Sequence, residues 1–99
     1  MAPPFIILTV PAFDAVMSAI KRENPDKHKK VLKTIRLLRH EGPTCPSLQT
    51  HKFESISGPG GDVLWEVYVE NRTPGAWRLW WIYGPDPDAI TLIMVGPHP

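Results

Sequence analysis

The stretch Ala76–Gly84, "AWRLWWIYG", alternates in a way that decides how the chain is built. With the two-residue period of a strand, Trp77, Leu79, Trp81 and Tyr83 share one face, while Arg78, Trp80 and Ile82 share the other. Aromatic side chains suit a pleated, half-buried surface, and three of the chain's four tryptophans fall here. An arginine is strongly hydrated and is rarely buried without a partner. Arg78 therefore has three options: an ion pair across the sheet, escape to an edge, or an anion from outside the chain.

Working outward, the same period continues on both sides. "DVLWEVYVEN" (62–71) puts Val63, Trp65, Val67 and Val69 on one face and Leu64, Glu66, Tyr68 and Glu70 on the other. "AITLIMVG" (89–96) reads as a last strand, followed by a short tail, "PHP". "THKFESI" (50–56) is a weaker strand candidate, and "SGPGGD", "RTPG" and "GPDPD" are turns rich in glycine and proline. Upstream the period changes. Phe5 to Val10 is an apolar, β-branched run that predicts a buried strand. Phe13, Val16, Met17 and Ile20 recur at helical spacing, so Pro11 to about Arg22 predicts an amphipathic helix. Asn24 is a good N-cap before Pro25 and Asp26, and a second helix runs to about His40 with Val31, Leu32, Ile35 and Leu38 as its buried stripe. Gly42 and Pro43 stop it.

The expected fold is α+β: a strand, a two-helix hairpin, then a three- to four-stranded antiparallel sheet, with residues 1–99 as a single domain. Two helices cover one sheet face. The expectation is that they cover Trp77, Leu79, Trp81 and Tyr83, leaving Arg78 and Trp80 on the open face, unless a bulge reverses the alternation.

The composition, 42% hydrophobic and 21% charged, is that of a globular chain, and no apolar run approaches the roughly 20 residues that span a bilayer. The single cysteine, Cys45, cannot form an internal disulfide, and "FIILTV" follows no basic segment, so the expected compartment is the cytoplasm. The net charge of +1 hides an asymmetry. Residues 1–50 carry eight Lys and Arg against four Asp and Glu, whereas residues 51–99 carry three against six. The basic excess lies on the second helix, where it forms either a solvated face or a patch for phosphates or an acidic partner.

Three segments together resemble the RelE/ParE superfamily of bacterial toxin–antitoxin toxins, with the RelE/YoeB-like mRNA interferase branch nearest. "KVLKTIRLLRHEGP" (30–43) resembles the second-helix segment, and "LQTHKFESISG" (48–58) with "LWEVYV" (64–69) resembles the joining segment and next strand. "AWRLWWIYG" and "ITLIMVGPHP" resemble the last two strands and the polar tail. The resemblance implies a ribosome-dependent mRNA endonuclease in which the RNA 2′-hydroxyl attacks the adjacent phosphate. In that scheme Arg78 binds the scissile phosphate, His98 transfers a proton, and Glu54 or Glu66 serves as base. Trp80 or Tyr68 would stack on a base, and Lys52, Arg72, Lys29, Lys30, Lys33 and Arg36 would contact RNA. The implied partners are a cognate antitoxin, the ribosome and mRNA, in a homodimer or a toxin–antitoxin heteromer, with no cofactor and no metal. A ParE-like alternative binds gyrase, or another partner, without cleaving RNA.

Structural readings stand beside these roles. Arg78 could pair with Glu66 or Glu70 across adjacent strands. His98 could belong to a mobile tail, and His51 reads as a loop or strand-edge residue rather than an acid–base group. Cys45, His40 and His51 lack any recognised zinc-ligand spacing.

Overall fold

The computed structural model describes residues 3–98. Its elements are β1 (Ile6–Thr9), α1 (Pro11–Glu23), α2 (Pro25–His40), β2 (His51–Lys52), β3 (Trp65–Tyr68), β4 (Trp77–Tyr83) and β5 (Ala89–Pro97). The sheet order is β1-β5-β4-β3-β2, antiparallel except that β1 lies parallel to β5. That parallel pair follows from the chain path. The helical hairpin carries the chain across one face of the sheet, so the first strand docks beside the last rather than beside its neighbour in sequence. β2 is only two residues long, far shorter than the 50–56 candidate.

Local chemistry explains the helices. Pro11 and Pro25 each stand in a first helical turn, where a missing N–H costs nothing. The Asn24 side chain accepts a hydrogen bond from the Lys27 backbone N–H at 3.2 Å, capping α2. At the other end Gly42 takes φ +83, and a Cβ there would stand 3.1 Å from the Phe5 ring, so both conformation and space favour glycine. The buried stripe of α2 differs from expectation at one position. Leu32 is 40% exposed, while Thr34 is buried beside Val31 and Leu38, its hydroxyl donating to the Lys30 carbonyl at 3.1 Å. That bond satisfies the hydroxyl within its own helix and lets a polar residue enter the core.

Phe13, Ile20, Val31 and Leu38 from the helices close over Val67, Leu79, Trp81, Ile90, Leu92 and Val95 from the sheet. Arg78 and Trp80 therefore lie on the face away from the helices, as the alternation of β4 predicts. A bulge does exist, but on β5: Trp80 pairs with Met94 and Trp81 with Leu92, so Ile93 is the extra residue. Its effect is to shift parity. Ile90 and Leu92 face the helices, and so does Val95, which hands Gly96 and His98 to the opposite face. That opposite face is not bare. The segment after β2 folds back over its lower half: Phe53 meets Trp80 edge-on at 5.7 Å, and Gly58 packs against Ile82 and Leu64.

Candidate active site

Strand register brings the polar groups together. His51 pairs with Glu66, Glu66 with Trp80, and Tyr68 with Arg78, across three adjacent strands. Beyond β5 the His98 backbone N–H donates to the Ala76 carbonyl at 2.9 Å, which fixes the tail against the start of β4. The result is a cluster on the face away from the helices. Glu66 is only 1% exposed, and three groups able to carry positive charge face its carboxylate. His51 Nε2 is 3.2 Å from Oε2, Arg78 Nε is 3.4 Å from Oε1, and His98 Nε2 is 3.6 Å from Oε1.

Arg78 is held rigidly. Its Nη1 donates to the carbonyls of Glu70 at 2.6 Å and Trp77 at 3.1 Å, and its Cζ lies 3.7 Å above the centre of the Tyr68 ring. Three supports set the plane of the guanidinium: two carbonyls and an aromatic face. The residue is 9% exposed, so it is on the expected face but far less open than an uncovered sheet would leave it. Glu70 anchors the same corner. Burial pushes its carboxyl up, but hydrogen bonds from Lys27 at 2.7 Å, Lys30 at 2.9 Å and the Trp77 N–H at 3.2 Å, with the charge of Lys27, outweigh it and hold the pKa at about 2.

Three buried polar atoms on this face, Glu66 Oε1, Arg78 Nε and Trp80 Nε1, have no hydrogen-bond partner among the described residues. Buried polar groups are nearly always paired, because leaving one unpaired costs about 1–3 kcal/mol. Three such atoms on paired strands mark a place where the fold has kept hydrogen-bonding capacity unspent. Among the described residues, no group of three or more His, Cys, Asp or Glu side chains is arranged to hold a metal ion.

The other candidates divide. Glu54 is exposed and lines a separate cavity of about 300 Å³ with Ile56 and Asp62; neither Arg78 nor His98 borders it. Trp80 corrects an expectation. It is 2% exposed beneath Phe53 and offers no surface for stacking. Tyr68 gives one ring face to Arg78 and meets His51 edge-on at 6.0 Å. Lys52 reaches over Trp65, whose ring stacks on core Trp81, so it points to the helix side, away from Glu66. Arg72 is exposed in the turn before β4, with φ +60. Lys29 and Arg36 are exposed on α2, Lys30 is tied to Glu70, and Lys33 borders a cavity of about 390 Å³ with Tyr68, Glu70 and Asn71. The residue that alternation missed is His51. Its isolated position in sequence gave no sign that a two-residue strand would set it opposite Glu66.

No protein-family model matches the chain, and no curated protein sequence is significantly similar to it. Solved structures are similar over nearly the whole length. The YoeB dimer of Staphylococcus aureus matches 97% of this chain and 99% of its own, with a TM-score of 0.69 and 11% identity. The RelE of the archaeal RelE–RelB complex from Pyrococcus horikoshii matches 95% and 94%, with a TM-score of 0.65 and 11% identity. A metal-bound toxin from Helicobacter pylori matches 95% and 94%, with a TM-score of 0.66 and 20% identity. The chain has the fold of the RelE/ParE toxin superfamily, as its three segments led one to expect.

Proposed function

We propose that the chain is the toxin of a toxin–antitoxin pair and acts as a ribosome-dependent endoribonuclease on mRNA. The observation that carries this reading is the cluster of Glu66, Arg78 and His98, with its unpaired buried Oε1 and Nε atoms. RNA cleavage by its own 2′-hydroxyl needs three things: a base, an acid for the leaving oxygen, and positive charge beside the phosphoryl oxygens. Glu66 Oε1 takes the 2′-hydroxyl proton as the 2′-oxygen bonds to phosphorus. His98 Nε2 gives a proton to the 5′-oxygen as its bond to phosphorus breaks, leaving a cyclic phosphate and a free 5′-hydroxyl. The immobilised Arg78 guanidinium stabilises the charge that grows on the phosphoryl oxygens, with no reorganisation at the moment of reaction. The half-exposed His98 ring stands 3.6 Å from Oε1, which is itself shielded from solvent, so the ring moves aside as RNA enters. Glu66 rather than Glu54 is the base, because only Glu66 touches the other two groups.

The exposed lysines and arginines of α2, Lys29, Lys33 and Arg36, supply sequence-independent attraction for RNA phosphates. Two structural neighbours are toxin–antitoxin complexes, RelE–RelB and the S. aureus YoeB–YefM, and we take an antitoxin as the partner here too. The setting is the cytoplasm, where ribosomes work. The second reading, a non-catalytic binder of gyrase or another protein, draws on Ile6, Leu8 and Met94, large apolar side chains exposed along β1 and β5.

Cell-free translation of a defined message, with RNA ends mapped by primer extension, separates the two readings. Wild type should cut the message only when ribosomes are present. Arg78→Ala and His98→Ala should each lose roughly 10²–10⁴ in rate while keeping a cooperative melt. An intact message with folded wild-type protein would sink the endoribonuclease and leave the binder.

A further inference from the structure

We infer that His51 is the residue that positions Glu66 for proton transfer: it engages Oε2 and leaves Oε1 as the oxygen free to act. The inference rests on the endoribonuclease reading and deepens it. Two contacts define the imidazole. Its Nδ1 lies 2.8 Å from the Gln49 carbonyl oxygen, and its Nε2 lies 3.2 Å from Glu66 Oε2. A carbonyl oxygen only accepts, so Nδ1 carries a hydrogen. A bare Nε2 would then set its lone pair against a carboxylate oxygen. A proton therefore lies between Nε2 and Oε2, and an imidazolium donating from both nitrogens accounts for both contacts.

The carbonyl that fixes this tautomer is itself held in place. Gln49 follows the short turn Pro46–Leu48 in the left-handed region, φ 48 and ψ 49, with its N–H donating to the Pro46 carbonyl at 3.2 Å. A non-glycine residue in that region is uncommon and costs about 1–3 kcal/mol, and such sites concentrate where function demands them. The charged and titratable groups around the pair come from every neighbouring strand. Glu66 and Tyr68 face His51 from β3, Arg78 and His98 face Glu66 from β4 and the segment after β5, and Lys52 points to the other side of the sheet.

The two carboxylate oxygens are thereby made unequal. Oε2 is engaged by His51. Oε1 is buried, lacks an aligned donor, and faces Arg78 and His98, the groups assigned to phosphate and leaving oxygen. A carboxylate free to rotate would present either oxygen to Arg78 and His98. The contact from His51 Nε2 to Oε2 prevents that rotation.

The test has two arms. In the first, nitrogen NMR of histidine-labelled wild type follows His51 from about pH 5 to 9, where histidines titrate. The expected result is Nδ1 protonated throughout, with the Nε2 resonance altered in Glu66→Gln. A bare Nδ1, or a Nε2 resonance indifferent to Glu66→Gln, overturns the inference whatever the protein does to RNA. In the second arm, ribosome-dependent cleavage is compared across His51→Ala and His51→Gln, with thermal melts as the folding control. The alanine variant should lose about tenfold or more in kcat, the effect of one hydrogen bond to a charged group. Glutamine, which places an N–H donor where Nε2 stood, should recover most of the rate. Equal rates for wild type and His51→Ala overturn the inference while leaving the endoribonuclease in place. A wild type with no cleavage overturns the endoribonuclease and the catalytic part of the inference, and the first arm still decides the hydrogen bond.

Discussion

On the side turned to the helices, Val67, Leu79, Trp81, Ile90 and Leu92 pack against Phe13, Ile20, Val31 and Leu38. On the other side the same strands hold Glu66, Tyr68, Arg78 and Trp80, capped by Phe53 below and flanked by His51 and His98 above. Both sides exclude water from the strands, yet they spend that exclusion differently. The helix side buries apolar area, which stabilises the fold at about 25 cal/mol per Å². The opposite side buries ions and leaves three polar atoms unpaired there, which costs stability and strengthens every electrostatic interaction inside. Apolar packing and the polar cluster thus occupy opposite faces of β3 and β4, one residue apart along each strand.

That division is open to direct attack, and the largest effects come from neighbouring side chains. Trp81→Ala should destabilise the protein by about 3–5 kcal/mol, the usual result of emptying a buried tryptophan site, read as a fall in urea midpoint. Glu66→Gln, set diagonally across β3 and β4, should cost less stability than Trp81→Ala, because the isosteric amide empties no cavity, although it removes the buried counter-charge of Arg78. Its cleavage rate should instead fall by roughly 10²–10⁴. If Glu66→Gln unfolded the chain as readily as Trp81→Ala, the two faces would not be distinct in kind, and the polar cluster would be a structural ion network.

Most of the fold was legible in periodicity. The switch from 3.6 to 2 at Pro43, the caps at Asn24 and Gly42, and the alternation of β4 located both helices and put Arg78 on the correct face. What escaped were features set by contacts distant in sequence. Thr34 replaces Leu32 in the buried stripe because its hydroxyl finds a carbonyl in its own helix. The β5 bulge escaped too, and with it the site: strict alternation from Ile90 and Leu92 would send His98 toward the helices, and the extra residue Ile93 turns it to Glu66. Glu66 and Arg78 were in view as chemistry-bearing residues. Trp80 was read as a platform because its lid, Phe53, lies in a segment that reads only as a weak strand candidate and gives no sign of folding back over the sheet.

A smaller effect probes the boundary between the faces, at Glu70. Its folded pKa, about 2, lies below its ordinary value of 4.5, so the charged form is favoured by folding. The resulting stability is fully present above about pH 4.5 and is lost as pH falls through about 2. Glu70→Gln should therefore cost about 1–2 kcal/mol at pH 7, the scale of hydrogen bonds to a partly exposed charge, and the difference from wild type should shrink below pH 4.5. A difference that persisted unchanged into strong acid would assign the loss to packing rather than to Lys27 and Lys30. Because the Glu70 carbonyl also accepts from Arg78, the same variant tests whether the corner sets the guanidinium through backbone alone. Unchanged cleavage would say that it does.

The smallest effect sharpens the comparison from outside the sheet. Lys33 is exposed on α2 beside the cavity it lines with Tyr68, Glu70 and Asn71, and no ion pair holds it among those described. If α2 attracts RNA only through phosphates, Lys33→Ala should weaken binding uniformly across sequences. It should also reduce the slope of log affinity against log salt by about 0.7, the share of one phosphate on a single strand. The catalytic rate at saturating RNA should not move, since no atom of Lys33 is assigned to the reacting phosphate. A slope that stayed constant while the rate fell would place Lys33 in the chemistry, and the proposed boundary between an RNA-binding helix and a catalytic sheet face would have to be redrawn through the cavity.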